Sequence, residues 1–261
     1  RASRMVRSGY REIMLTGIHL GMYGHDLEGG DTTLACLLAE LEKIPKLHRV
    51  RLSSLEPSDI TGELVEQIFT STKVCPHLHI PLQSGDEEIL ERMNRPYSPS
   101  EFRYLVTWLR QLKPDLALSS DIMVGFPGET DQHHLRSLEF VRGIKFSRLH
   151  VFKYSQRPLT PAAGFAEQVS PAVKDRRSRE MIALGEEMAR AYRSTFIGST
   201  EEVLVEKVNS SQQGEGFTPH YIRVKTNLPG RIIGSRWRGK LLPVRLEREE
   251  GSSLVGVAES R

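Results

Sequence analysis

The side chains of this sequence that could bind or orient a polar ligand come in five short clusters, each directly after an apolar run that is predicted to be a strand. They combine hydroxyl, amide, carboxylate and guanidinium groups with glycine turns. If the strands are parallel, their carboxyl ends meet on one face, which is where α/β proteins hold their ligands. The clusters are residues 16–19, 53–56, 83–85, 125–130 and 155–160.

The clearest of these clusters follows residues 117–124, whose apolar end is continuous, as expected for a strand covered on both faces. Gly125 and Gly128 let the backbone turn sharply and approach a ligand closely. Thr130, or Asp131 beside it, is the predicted N-cap of the next helix. Free amides at that N-terminus favour an anionic ligand, and a tight turn without a ligand fits the same residues. The apolar face of the helix is predicted to carry Leu135, Leu138 and Val141.

Strand and helix alternate five times in the first 160 residues, at intervals typical of βα units. This alternation predicts parallel strands with right-handed crossovers, in either a barrel or an open doubly wound sheet. The predicted strands are residues 12–20, 49–55, 77–82, 117–124 and 148–154.

The repeat ends after Thr160, and the sequence then predicts one long helix followed by a small all-β unit. The helix begins at Pro171, and Gly198 stops it. Short β-prone runs separated by turn residues indicate a small barrel of the OB kind. Those runs are residues 203–208, 221–224, 231–233, 241–246 and 254–257. We therefore predict an α/β fold with two domains, a partial (β/α) barrel over 1–197, closed by helix 171–197, and a β-barrel over 198–261.

Composition places few further limits on the chain. Its 261 residues can bury a sizeable core, and a net charge of +3 permits a nucleic-acid partner. The sequence has no long apolar run, which predicts a cytoplasmic protein without a membrane association. Two cysteines are too few for a disulfide framework. The glycine spacings match neither a dinucleotide-binding fingerprint nor a P-loop.

Cys75, His77 and His79 lie close together in the sequence and invite comparison with a metal site. No second ligand cluster of zinc type accompanies them, so the sequence favours strand histidines that pack or form hydrogen bonds. Cys36 is predicted to lie in the core. The cations between Lys174 and Arg179 are predicted to form a solvated helix face, with contact to RNA as the alternative.

The predicted small barrel carries a sign of an RNA partner. Residues 217–246 contain no Asp or Glu, whereas acidic residues gather on either side of them. Cations follow a phosphate backbone, and interleaved aromatic rings stack on bases with about 1–3 kcal/mol per stack. An ordinary solvated β surface is the alternative. The residues predicted to contact RNA are Tyr221, Arg223, Lys225, Arg236, Trp237, Arg238 and Lys240.

Six sequence blocks resemble the radical-SAM methylthiotransferases, in the order and spacing of that family. They are LTGIHLGMYG (15–24), RLSSLEP (51–57), HLHIPLQSG (77–85), MNRPYS (93–98), DIMVGFPGET (121–130) and HVFKYSQRPLTPAA (150–163). The segment from Gly198, with EVLVE, GFTPHYIRV and LVG, looks like the TRAM domain of those enzymes. The resemblance implies a partial radical-SAM barrel followed by a TRAM-like RNA-binding domain.

Enzymes of this family attach a methylthio group to an unactivated carbon. The LTGIHLG block is most similar to the branch that acts on N6-threonylcarbamoyladenosine at position 37 of tRNA. An isopentenyladenosine tRNA and a ribosomal protein are the alternative substrates. The resemblance further implies a monomer with tRNA and an electron-donor protein as partners.

The same resemblance implies two kinds of cofactor, S-adenosylmethionine and two 4Fe-4S clusters. Reductive cleavage of S-adenosylmethionine yields a 5′-deoxyadenosyl radical, which abstracts hydrogen before sulfur is transferred. The family's cluster ligands are a C-x-x-x-C-x-x-C motif and cysteines of a preceding domain, and neither Cys36 nor Cys75 fits them. We therefore expect the ligands upstream of Arg1, no metal site in this segment, and no turnover by the segment alone.

The resemblance also implies roles for individual residues, although it assigns none of them a catalytic role. Thr16 and Gly17 correspond to the segment that contacts the ammonium group of S-adenosylmethionine, and Ser53 and Glu56 would accept hydrogen bonds from that group or from the ribose. Further contacts to the cofactor are expected from Gln83, Ser84, Val124, Gly125, Phe126, Pro127, His150, Val151 and Phe152, the last seven of them around the adenine.

Arg95 and Arg157 are expected to contact a carboxylate or a phosphate, for which the guanidinium fork is suited. Leu159 departs from the family pattern, which has glycine there, and this departure bears on the shape of the loop.

Two other classes of function fit parts of the sequence. One is an RNA-binding module without activity of its own. The other is a barrel lyase or isomerase that binds phosphate with its glycine loops. In addition, a barrel without its first strand would expose a sheet edge, so we expect the segment to be marginally stable or prone to aggregation.

Overall fold

The computed structural model describes residues 1–27, 32–229 and 237–259. Its helices are α1 (Ala2–Arg7), α2 (Leu34–Glu42), α3 (Gly62–Thr70), α4 (Glu87–Arg92), α5 (Pro99–Leu112), α6 (Asp131–Ile144) and α7 (Pro171–Ser194). Its strands are β1 (Glu12–Leu15), β2 (Arg49–Leu52), β3 (His77–His79), β4 (Ala117–Val124), β5 (Arg148–Lys153), β6 (Thr200–Val208), β7 (Gln213–Phe217), β8 (Arg223–Asn227), β9 (Leu241–Glu250) and β10 (Ser253–Ala258). Short 3-10 turns cover Leu20–Met22, Pro57–Asp59 and Pro161–Gly164.

The chain forms two compact units. The first contains Arg1–Ser53, Thr61–His77 and Arg190–Arg261, and the second contains Ser54–Ile60 and Leu78–Ala189. The small β-barrel therefore shares a unit with the first two strands. The domain boundary between residues 197 and 198 stays a prediction. In the part of the chain that the structure describes, no helix is long and apolar enough to cross a membrane.

The first unit begins with the parallel pair β1 and β2, in which Glu12 lies opposite Arg49 and Leu15 opposite Leu52. Two capped helices accompany the pair. The Thr33 side chain accepts a hydrogen bond from an amide of α2, and the Thr61 side chain does the same for α3. Cys36 lies on α2 but is exposed, so its predicted place in the core is wrong. The residues that α2 buries instead are Leu34, Ala35, Leu38 and Leu41.

The five strands β6 to β10 form a closed barrel with the order β10-β8-β7-β6-β9. This confirms the predicted small barrel. The glycine-rich strand β7 was not predicted, because its apolar content is low. It depends on close backbone packing, since a Cβ on Gly216 would lie 1.8 Å from the carbonyl oxygen of Leu204. The predicted run 231–233 lies outside the described residues.

The second unit contains the parallel sheet β3-β4-β5, in which Ser119 to Val124 pair with Arg148 to Lys153 in order. The βα alternation of the sequence is confirmed. One face of β4 is completely buried, whereas Asp121 and Met123 on the other face are half-buried. Ser98 and Glu101 form the capping box of α5.

The predicted apolar face of α6 is wrong at Leu135, which is 61% exposed. The residues that α6 buries are His134, Ser137, Phe140, Val141 and Ile144. The buried stripe contains two polar residues, so an apolar period alone does not locate it. Ser137 has a reason to be buried, because its hydroxyl accepts a hydrogen bond from the amide of Gly85 at 2.9 Å.

Candidate functional site

Residues 54–56 and the segment after β3 form one side of a candidate site in the second unit. Ser54 pairs with His79, and the amide of Leu55 donates to the His79 carbonyl at 3.0 Å. These bonds place Glu56 near the carboxyl end of β3. Glu56 and the segment after β3 thus form a corner, and Tyr97 completes it, because its hydroxyl donates to the carbonyl of Pro81 at 3.1 Å. Burial raises the pKa of Tyr97 to about 12, so the hydroxyl stays a donor.

Glu56 and Arg95, which the sequence analysis assigned separately, meet in this corner. Arg95 Nη1 lies 3.2 Å from Glu56 Oε2, and both side chains are about one-third exposed. Asn94 lies just after α4 and has a left-handed backbone conformation, which turns the chain immediately before Arg95. A carboxylate and a guanidinium side by side can bind the ammonium and the carboxylate of one amino acid.

Gln83 occupies a strained backbone conformation directly after Leu82, whose carbonyl accepts from Tyr97. Its φ is +68°, in the left-handed region that costs a residue other than glycine about 1–3 kcal/mol. Two backbone bonds to β4 hold it there, because its amide donates to Asp121 and its carbonyl accepts from Met123, each at 2.8 Å. Strain of this kind is typical of functional positions. The neighbouring Ser84 is buried, and its hydroxyl accepts from the amide of Asp86.

A second polar group lies on the half-buried face of the sheet β3-β4-β5. The ring of His79 is held at both nitrogens, by Ser119 Oγ at 3.0 Å and by Asp121 Oδ1 at 3.3 Å. His150 packs edge-on against His79, with ring centroids 5.7 Å apart. Burial, followed by the charges of Arg148 and His79, lowers the pKa of His150. The imidazole of His150 is therefore neutral at neutral pH.

The glycine turn after β4 is as sharp as the sequence predicts, with φ values of +72° at Gly125 and +84° at Gly128. Its amides, however, are not free for an anion. The Gly125 amide donates to Glu129 Oε1 at 3.0 Å, and the Gly128 amide donates to the Glu167 carbonyl at 2.8 Å. Thr130 caps α6 as predicted, together with His133. The amides of Gly125 and Gly128 are therefore used within the protein, and an anionic ligand at the N-terminus of α6 stays a prediction.

A buried ion pair fixes this turn against α7. Arg177 Nη1 lies 2.8 Å from Glu129 Oε1, and only 4% of either side chain is exposed. Arg177 also donates to the Glu129 carbonyl. Burial raises the pKa of Glu129, while the Gly125 amide and Arg177 act in the opposite direction. The side chain of Arg177 is therefore buried, and the prediction that it belongs to a solvated helix face is wrong.

The remaining residues that were assigned to the adenine do not all lie on one face of the sheet. The Phe126 ring is buried against Tyr154, with centroids 5.3 Å apart. Val151 pairs with the fully buried Ile122 and points away from the face of His150 and Phe152. Contacts of Val124, Phe126, Pro127 and Val151 to an adenine stay predictions.

Arg157 lies in the exposed loop after β5. Its carbonyl accepts the hydroxyl of Thr160 at 2.8 Å. Leu159 in the same loop has a φ of +70°, which explains why glycine suits that position.

The first unit holds the other residues assigned to the cofactor. Thr16 and Gly17 are exposed directly after β1. Ser53 follows β2, and its amide donates to the Leu15 carbonyl at 3.0 Å. The Ser53 hydroxyl is buried and has no hydrogen-bond partner among the described residues, so a water molecule or a ligand can satisfy it.

Two buried arginines in the first unit were not identified from the sequence. Arg51 is 1% exposed; it binds both carboxylate oxygens of Glu12 at 3.1 Å and the carbonyls of Thr218 and Pro219. Its guanidinium lies 4.4 Å from the Tyr221 ring centroid. Arg49 donates to the carbonyls of Glu202 and Phe217. The sequence feature that could have indicated these buried ion pairs is the presence of Arg at two alternate positions of β2, with Glu12 on the neighbouring strand.

The cations of the small barrel are less segregated than the sequence suggests. Arg223 on β8 pairs with Glu215 on the neighbouring strand β7 at 3.4 Å, and Lys225 on β8 pairs with Glu250 at the end of β9 at 3.2 Å. Arg238 and Lys240 are exposed on the turn before β9. Trp237 packs on the barrel core. Arg236 lies outside the described residues, and RNA contacts by this set stay predictions.

No group of three or more His, Cys, Asp or Glu side chains among the described residues could hold a metal ion. Burial raises the pKa of Cys75 to about 11, so its thiol is a poor ligand. The described residues thus offer no ligand set for an iron–sulfur cluster. They do offer one for a zwitterionic amino acid, at Glu56 and Arg95.

Comparison with known proteins identifies the family of this chain. The family described as the radical SAM superfamily matches residues 1–141, more than half of the chain. The chain belongs to the radical SAM superfamily. A threonylcarbamoyladenosine tRNA methylthiotransferase of Bacillus subtilis is 39% identical over 256 residues, which cover 96% of this chain and 56% of that protein.

A second relative, a tRNA-2-methylthio-N(6)-dimethylallyladenosine synthase of Pelotomaculum thermopropionicum, is 37% identical and covers 98% of this chain. This radical SAM chain spans 56% of the length of either relative. Among solved structures, coproporphyrinogen III oxidase from Escherichia coli, a radical SAM enzyme, matches with a TM-score of 0.49 and 16% identity, over 87% of this chain and 56% of that one.

Proposed function

We propose that this chain is part of a radical-SAM methylthiotransferase that modifies an adenosine of tRNA, with N6-threonylcarbamoyladenosine as the substrate. The observation that carries the proposal is the Glu56–Arg95 pair together with the strained Gln83 at the carboxyl end of β3. A site for S-adenosylmethionine needs an acceptor for its ammonium group, a cation for its carboxylate and polar groups for its ribose. This corner supplies all three.

S-adenosylmethionine, when bound, supplies radical chemistry at its 5′ carbon. Glu56 would accept the ammonium group and Arg95 would bind the carboxylate, and their mutual bond holds both in position beforehand. Gln83 would donate hydrogen bonds to the ribose hydroxyls or accept them, and Asp121 would accept them. The sequence analysis did not assign Asp121, whose position is fixed by its contact with His79.

The residues around the glycine turn would position the cofactor indirectly. Glu129 accepts the Gly125 amide and is itself paired with Arg177, so the turn has a fixed shape and the Gly125 amide is not free. This arrangement speaks against the alternative of a phosphate-binding lyase or isomerase, which would need the amides of Gly125 and Gly128.

The tRNA partner is supported by the exposed cations Arg238 and Lys240 on the small barrel and by the two tRNA-modifying relatives. The pairs Arg223–Glu215 and Lys225–Glu250 are exposed enough to exchange a carboxylate for a phosphate at small cost. The two 4Fe-4S clusters, the electron-donor protein, the monomeric state and the cytoplasmic location belong to the proposal as well.

The test is a strain in which the gene is deleted and then restored as wild type or as a variant, with tRNA nucleosides measured by mass spectrometry. We expect the deletion to remove the methylthio derivative of N6-threonylcarbamoyladenosine. We expect Glu56→Gln and Arg95→Gln to fail to restore it at normal protein levels. Glu63→Gln, an exposed carboxylate on α3, is the matched control and should restore it. Unchanged nucleosides in the deletion strain would refute the proposed function.

A further inference from the structure

The strand β5 presents a row of side chains on the half-buried face of its sheet. Arg148, His150 and Phe152 alternate with Leu149 and Val151, so the first three point to one side. Their partners across the strand pair are Ser119, Asp121 and Met123. Helix α7 covers the opposite side, where Leu149 packs against Gly185 and Lys153 pairs with Asp175 at 2.7 Å.

The row has binding groups that are not used within the protein. Arg148 is exposed and has no hydrogen-bond or ion-pair partner among the described residues, and the ring nitrogens of His150 have no hydrogen-bond partner there. Phe152 is 51% exposed, although it is a large apolar ring. In contrast, both nitrogens of the neighbouring His79 have partners, Ser119 and Asp121. These contacts fix the orientation of the His79 ring, against which His150 packs.

The chemistry of the row selects its occupant. An exposed aromatic ring favours a planar partner that stacks on it. A neutral imidazole offers one donor and one acceptor, which suits the edge of a heteroaromatic base better than a phosphate. An unpaired guanidinium two residues away favours a carboxylate. These features together describe a base that carries an acidic substituent.

We propose that Arg148, His150 and Phe152 form the subsite for the substrate base, and that Arg148 selects a base bearing a carboxylate over one bearing an apolar group. The inference rests on the proposed function and deepens it. The relatives at 39% and 37% identity differ in the base that their names contain, so similarity alone does not choose between the two. The subsite also reassigns the side chains of His150 and Phe152 from the cofactor's adenine to the substrate.

The test measures binding of two nucleosides to the full-length protein by calorimetry, N6-threonylcarbamoyladenosine and N6-dimethylallyladenosine, with S-adenosylmethionine titrated separately. We expect the carboxylate-bearing nucleoside to bind about tenfold more tightly, as one charge-assisted contact would give. Arg148→Gln should remove that preference. His150→Phe should weaken both nucleosides while leaving the affinity for S-adenosylmethionine unchanged.

The control is Arg179→Gln, an exposed arginine on α7, which should keep the preference. Thermal melting of each variant shows whether it is folded. Ring resonances of His150 that move only on addition of nucleoside would give independent support. Equal affinity for the two nucleosides, an unchanged preference in Arg148→Gln, or a loss of S-adenosylmethionine binding in His150→Phe would overturn the inference. Methylthiolation of a dimethylallyl base in cells would refute the selection by Arg148 but would still be consistent with a methylthiotransferase activity.

Discussion

Replacing Arg51 with methionine should destabilise the first unit by about 3–5 kcal/mol, the cost typical of breaking a buried ion pair from one side. Arg51 is 1% exposed and binds Glu12 with two nitrogens, and Glu12 itself is only 16% exposed. The substitution also leaves the carbonyls of Thr218 and Pro219 without this donor. Arg49 lies 3.7 Å from Glu12 and compensates only in part.

The double variant Arg51→Met/Glu12→Leu removes both members of the buried ion pair. Removing both charges takes away the unpaired carboxylate, and the two apolar side chains can fill the volume. We therefore expect the double variant to recover more than half of the loss. The control Arg245→Met breaks an exposed pair with Glu247 and should change the free energy of unfolding by less than about 0.5 kcal/mol.

The assay is urea denaturation followed by tryptophan fluorescence in a Trp108→Phe background. Trp237 then reports on the small barrel, against whose core it packs. A loss below about 1 kcal/mol for Arg51→Met, or a double variant no more stable than the single one, would show that the buried pair does not fasten the barrel to β2.

Two other perturbations follow from the structure. Gly216→Ala should destabilise the small barrel by about 2 kcal/mol or more, because the new Cβ would lie 1.8 Å from a backbone oxygen; Gly62→Ala, with open space around it, should be neutral or stabilising in the same thermal melts. Burial lowers the pKa of His134 below its ordinary value of 6.5, so the folded state favours the neutral ring. The stability from His134 is therefore present above the unfolded pKa and is lost as the pH falls through the folded one. Denaturation between pH 7 and pH 4 should be less pH-dependent in His134→Gln, and an equal slope in the two proteins would contradict this.

Features that depend on neighbours in the chain could be predicted from the sequence. The capping box of α5, the left-handed glycines after β4 and the alternation of strands with helices each rest on residues a few positions apart. The resemblance to the radical-SAM methylthiotransferases is of the same kind, since blocks in fixed order carry it.

Tertiary structure alone decided which groups meet. The pairs Glu56–Arg95 and Glu129–Arg177 join residues 39 and 48 positions apart, and Arg51 reaches carbonyls 167 and 168 positions away. It also decided that α6 buries His134 and Ser137 while Leu135 is exposed, and that Gly125 bonds to Glu129. The physical reason is that a buried charge or amide must find a partner, and the nearest partner in space is set by packing rather than by spacing along the chain.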